Sequence, residues 1–155
     1  MQKKNILVSA CLLGEKVRYD GTDKRNNFIL QKIAPFHHII SFCPEMNMGL
    51  GSPRDPLYLV EDSGVIKLFD LYIDDLTEKA KGTHQYYLER LALVDIAILK
   101  SKSPSCGHGT TPLSGSPTLV NGLFTEELLK IFPKIKIFDE LDLKKKSVQD
   151  FFKSL

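Results

Sequence analysis

The residues best placed to do chemistry are Cys11, Cys43 and Cys106, the only cysteines in a chain of 155 residues. Their number is odd and none sits in a close-spaced pair, so a disulfide framework is a poor fit. Reactive or metal-ligating thiolates become the question. A lone free cysteine is usually a small core hydrophobe. These three share a pattern that inert cysteines need not show. Cys11 closes the apolar run Ile6-Leu7-Val8-Ser9-Ala10, Cys43 closes His38-Ile39-Ile40-Ser41-Phe42, and Cys106 lies in the loop after the apolar run 94–99.

If the thiols meet, their softness selects zinc or an iron–sulfur cluster. A closed zinc site wants four ligands, usually with a close-spaced pair. Of the four histidines, only His108 lies near enough to a cysteine to complete one. A cubane cluster on three thiolates would instead keep one iron open, and an open metal position marks a catalytic site. Cys43-Pro44-Glu45 and Ser103-Pro104-Ser105-Cys106-Gly107 set proline and glycine beside two of the thiols. Such residues let backbone approach a bulky inorganic ligand, and backbone N–H groups can bond cluster sulfides.

Polar side chains crowd the same loops. Glu45, two residues past a thiol, is the candidate for general acid–base work. A structural carboxylate paired to an arginine is the competing reading. Arg18, Arg25 and Arg54 could clamp a phosphate or carboxylate in bidentate fashion. Lys100, Ser101, Ser103 and Ser105 surround the third thiol, whereas Glu15, Lys16, Lys24 and Lys102 read as ordinary solvated loop. A phosphate-cradling loop with Cys11 as nucleophile is disfavoured. Six residues separate Cys11 from Arg18, one more than such loops use, and the expected glycines are missing. Neither G-x-G-x-x-G nor a P-loop is present.

The elements that must position these residues alternate. Strands are expected over 6–10, 38–42, 94–99 and 135–138, with a short strand over 65–69 at an edge. Asn26 is expected to cap a short helix ending before Pro35. Asp75 and Glu78 resemble a capping pair for a helix that buries Leu76, Ala80, Tyr87, Leu88 and Leu91. Thr125 is expected to cap a helix stopped by Pro133, and Val148, Phe151, Phe152 and Leu155 form the core face of a terminal helix. Residues 46–56 and 100–122 read as loops. The fold class is therefore α/β: one domain over 1–155, a three-layer, Rossmann-like, mostly parallel sheet with helices on both faces. Ligands bind beyond the carboxyl ends of such strands, which is where all three thiols fall.

Hydrophobic residues make up 43% of the chain and charged residues 26%, an ordinary soluble composition. A net charge of +2 argues against a DNA surface, and Lys144-Lys145-Lys146 reads as a solvated helix start. No apolar stretch could cross a membrane and the N-terminal residues do not resemble a signal peptide, so a cytoplasmic location is expected.

Three motifs, in order, carry a family resemblance: Val8-Ser9-Ala10-Cys11-Leu12-Leu13-Gly14 with Val17-Arg18-Tyr19-Asp20-Gly21; Cys43-Pro44-Glu45 with Gly49-Leu50 and Pro53-Arg54; and Lys100-Ser101 with Ser103-Pro104-Ser105-Cys106-Gly107. They closely resemble the family known as domain of unknown function 523, which includes the thiouracil desulfidases (TudS). The resemblance runs from residue 6 to about 137 and departs at 46–48 and 108–119. It implies a [4Fe-4S] cluster on Cys11, Cys43 and Cys106 and a thiolated pyrimidine base or nucleotide as small-molecule substrate. It further implies Glu45 and Ser101 as catalytic groups. Lys100, Ser103 and Ser105 would line the pocket, with Arg18 and Arg54 as substrate anchors. Two other classes stay open: a metal- or redox-sensing module without turnover, and a thiol hydrolase or reductase built on Cys11.

Overall fold

The computed structural model describes residues 2–155. Its centre is a four-stranded, all-parallel sheet. In chain order the elements are β1 (Asn5–Ser9), β2 (His38–Phe42), α1 (Pro44–Asn47), β3 (Tyr58–Asp62), β4 (Val65–Phe69), α2 (Thr77–Leu88), β5 (Ile96–Leu99), β6 (Thr111–Pro112), β7 (Leu119–Val120), α3 (Leu123–Ile131), β8 (Lys136–Asp139) and α4 (Lys146–Lys153). The sheet order is β2-β1-β5-β8. Ser9 sits opposite Phe42, and Leu99 opposite Asp139, so all four strands end at one rim.

The central strands are apolar at nearly every position because both faces are covered. Ile6, Val8, Ile96 and Ile98 pack with Ile29, Ile33, Leu143 and Phe152 on one side. Leu7, Ala97 and Leu99 pack with Leu88, Phe124 and Leu128 from α2 and α3 on the other. A third cluster, with Met48, Leu57, Leu59, Leu68 and Leu113, seats the β3–β4 hairpin against the body. The α/β expectation is met, with helices on both faces.

Local differences from the sequence reading have physical causes. Residues 65–69 do form a strand, but it pairs antiparallel with β3, which the sequence reading missed, in a separate two-stranded sheet. The 100–122 loop contains the small hairpin β6–β7. Asn26 does cap, its Oδ1 accepting the Ile29 amide at 3.0 Å, although residues Ile29–Ile33 wind as a π-helix. Asp75 accepts the Thr77 amide at 2.9 Å at the start of α2. Thr125 does not cap α3. The amides of Leu123 and Phe124 donate to the carbonyls of Pro104 and Ser105 at 3.0 Å each, so the loop backbone itself caps the helix, and Thr125 is buried in the first turn. Lys144, Lys145 and Lys146 are exposed where the terminal helix begins, as expected.

Candidate active site

The rim encloses a cavity of about 610 Å³ lined by Cys11, Cys43 and Cys106. Arg18, Glu45, Arg54, Lys100, Ser101, Ser103 and Ser105 line it too. Arg25 is not brought there, and its Nε lies 3.4 Å from Asn27 Oδ1. Lys24 and Lys102, which the sequence reading left in solvent, do border the cavity, together with Tyr19 and Tyr58.

Each thiol is delivered by a local device. β1 runs into a tight 3₁₀ turn, Ala10–Leu13, closed by Gly14 at φ +93°, a left-handed conformation that favours glycine. Cys43 leads into α1, whose first residue is Pro44, and its Sγ lies 3.9 Å from the Val17 carbonyl. Cys106 is held from both sides. The Ser103 hydroxyl accepts the amides of Ser105 at 3.1 Å and Cys106 at 3.0 Å. Gly122 packs so close behind them that a Cβ there would come within 2.4 Å of the Ser105 carbonyl. Only glycine permits that approach. Phe42, at the end of β2, lines the cavity and stacks on Tyr87 at 3.6 Å.

Burial governs the thiols. It pushes Cys11 up to about 11, with Lys100 pulling the other way. Cys43 is raised for the same reason. Cys106 is raised further by burial, with the Ser9 hydroxyl opposing. A lone nucleophilic thiol needs the opposite shift, so this environment weighs against a Cys11-based hydrolase or reductase.

Two carboxylates organise the remaining polar groups. Glu45 Oε1 pairs with Arg54 Nε at 3.0 Å, and Glu45 Oε2 accepts the Ser105 hydroxyl at 2.9 Å. Arg54 Nη1 also donates to the carbonyl of Val17 and, within its own loop, to that of Gly51, each at 2.7 Å, so this arginine ties the Glu45 segment to the loop after β1. The second carboxylate is Glu140, immediately after β8, which the sequence reading missed. Its Oε1 accepts the Ser101 amide at 2.7 Å. Its Oε2 accepts the Ser101 hydroxyl at 2.7 Å and Lys100 Nζ at 2.9 Å. Burial pushes Glu140 up, but the two Ser101 bonds and Lys100 outweigh it and hold the carboxyl below its ordinary range. The rule that located the cysteines, residues at or just past strand ends, points equally to Glu140 and to Ser9, the last residue of β1, whose Oγ accepts the Lys100 amide at 2.9 Å. Arg18 sits nearer solvent, 3.7 Å from Asp20 and beside the Tyr19 ring.

Among the described residues, no three His, Cys, Asp or Glu side chains are grouped so as to hold a single metal ion. His108 is exposed and does not line the cavity. No helix among the described residues is long and apolar enough to cross a membrane.

Comparisons with known proteins bear on the family and the fold. The chain is 35% identical over 114 residues to "Uncharacterized protein YbbK" of Bacillus subtilis (strain 168), a match covering 67% of this chain and 74% of that protein. It superposes on the solved structure of a [4Fe-4S]-dependent thiouracil desulfidase, TudS (DUF523Vcz), with a TM-score of 0.73 and 31% identity, across 94% of this chain and 97% of the other. The family model for 2-thiouracil desulfurase matches residues 6–140, which take in all three thiols, both carboxylates and the four rim strands. The chain belongs to the 2-thiouracil desulfurase family.

Proposed function

We propose that the chain is an iron–sulfur-dependent desulfidase that converts C=S to C=O on a thiolated pyrimidine base or nucleotide. The observation that carries this is the convergence of three thiols, from three different strand ends, on one cavity in a chain of this family. The donor set fits a [4Fe-4S] cluster. Thiolates holding one tetrahedral ion at ~2.3 Å must crowd within about 4 Å of each other. Thiolates of a cubane each bind a different iron and stand farther apart. Cys11, Cys43 and Cys106 would hold the cluster, and ligation would strip their protons despite the burial. When bound, the cluster supplies a Lewis-acidic iron with affinity for a soft thiocarbonyl sulfur.

The rest of the chemistry belongs to this chain's own side chains. The net reaction adds water and releases the sulfur as hydrogen sulfide, so no electron is gained or lost. Glu45 and Ser101 are the groups that would handle the protons of that water. Arg54 and Ser105 hold the Glu45 carboxylate, and Ser103 holds the Cys106 turn, so these three act chiefly by positioning. Arg18, with Lys24 and Lys102, is left to meet a polar ring edge or a phosphate. Lys100 lies beside Ser101 on the cavity wall. We read the protein as cytoplasmic, with a small-molecule substrate and neither DNA nor membrane as partner.

The test is iron and acid-labile sulfide content after anaerobic reconstitution, followed by desulfuration of 2-thiouracil, in wild type and Cys106→Ala. About four irons and four sulfides per chain, with turnover, both lost in the variant, is the expected result. Cluster without turnover of any thiolated pyrimidine would turn the reading towards a redox- or metal-sensing module. Zinc alone would end it.

A further inference from the structure

We infer that Glu140 is a positioning residue for the Ser101 hydroxyl: it takes that hydroxyl's hydrogen, so that Ser101 faces the cavity only as an acceptor. The inference rests on the functional reading above and concerns a residue outside the cavity lining. Glu140 engages Ser101 twice, at the amide and at the hydroxyl, both at 2.7 Å. A serine hydroxyl has one hydrogen and two lone pairs. With the hydrogen committed to Glu140 Oε2 and Lys100 Nζ lying 3.3 Å from the oxygen, what Ser101 presents to the cavity is acceptor capacity. It can therefore receive a hydrogen bond from water or from a ring N–H. It takes a proton from that water only if its own passes to Glu140, and no bond to Ser101 need form or break otherwise.

The pair is preorganised by the fold rather than by side-chain flexibility. Glu140 and Ser101 lie just past the ends of neighbouring strands in parallel register, with Leu99 opposite Asp139. Lys100 and Glu140 side chains are only 16% and 17% exposed. Solvent therefore competes weakly for these bonds, and charge-assisted bonds of this length are the strong kind.

Glu140→Gln keeps the shape but cannot accept at both oxygens. One arm becomes an N–H donor, which turns the Ser101 hydrogen towards the cavity. In cluster-loaded protein with wild-type iron and sulfide, kcat for desulfuration should fall about 100-fold with KM within about threefold. Ser101→Ala combined with Glu140→Gln should be no slower than Ser101→Ala alone, and Glu140→Asp should recover part of the loss. Full kcat in Glu140→Gln, or losses that multiply in the double variant, would overturn the inference. A second readout needs no turnover. Hydrogen exchange at the Ser101 amide, measured by NMR without cluster, should accelerate at least tenfold in Glu140→Ala, which removes both acceptors; unchanged exchange would also overturn it. If loaded wild type performs no desulfuration, the functional reading fails and takes the catalytic half of this inference with it. The clamp itself would then stand or fall on amide exchange.

Discussion

Two carboxylates stand at opposite edges of the same sheet rim, and each is held by one cation and one serine hydroxyl. Glu45 follows β2 and binds Arg54 and Ser105; Glu140 follows β8 and binds Lys100 and Ser101. The ingredients match but the wiring differs. Arg54 is a permanently charged, planar donor that also reaches the Val17 carbonyl in the loop after β1 and the Gly51 carbonyl of its own loop, so its cluster braces two loops against each other. The Glu140 cluster is made of residues adjacent in sequence or in strand order and bonds mostly to one serine. One arrangement locks loops around the thiols; the other aims a hydroxyl.

The largest expected effect comes from breaking the brace. Arg54→Met leaves the buried Glu45 carboxylate without its cation and should cost about 3–5 kcal/mol in urea unfolding. Lys100→Met should cost less, because Glu140 keeps both Ser101 bonds. Equal losses would erase the distinction between the two clusters.

Gly122→Ala should cost about 1–3 kcal/mol, since its Cβ would press on the Ser105–Cys106 peptide. Iron content after reconstitution should fall with it, while exchange of the Ser101 amide stays at its wild-type rate. A change at Ser101 would show that the two sides are coupled through the loop that follows β5. Ser105→Ala removes one hydrogen bond to Glu45 and should cost about 1 kcal/mol. Its kcat should stay well above that of Ser101→Ala, as direct comparison of the two variants would show.

The smallest effect is a pH dependence set by Glu140. Its folded carboxyl lies below the ordinary 4.5. The unfolded chain therefore binds the proton first, so the stabilisation is complete above that ordinary value and is lost as pH falls through the lower folded one. Urea unfolding at neutral pH and in the acid range should show a shallower acid loss in Glu140→Gln than in wild type.

Much of the site was legible before any fold was known. Short apolar runs ending at Cys11 and Cys43, and a third run before the Cys106 loop, were enough to place three thiols at one rim. That is because the carboxyl ends of parallel strands share an edge. The β3–β4 hairpin was half seen: the alternation at Val65–Phe69 was readable, whereas Tyr58-Leu59-Val60-Glu61-Asp62 carries too weak a pattern outside its pairing. Thr125 misled because it is a good capping residue type; the α3 amides found backbone carbonyls instead, a choice available only once the Cys106 loop had folded over them.

The sequence by itself determined the strand periods, the helix faces and the chemical types gathered at the strand ends, since these depend on near neighbours in the chain. Tertiary structure alone decided which carboxylate meets which cation. It placed Arg54, rather than Arg18 or Arg25, against Glu45, and it brought Glu140 from the last strand onto Ser101. Those pairings join residues 9 and 39 positions apart. Their partners are selected by sheet order and by exclusion of water at the rim, neither of which leaves a local mark in the sequence.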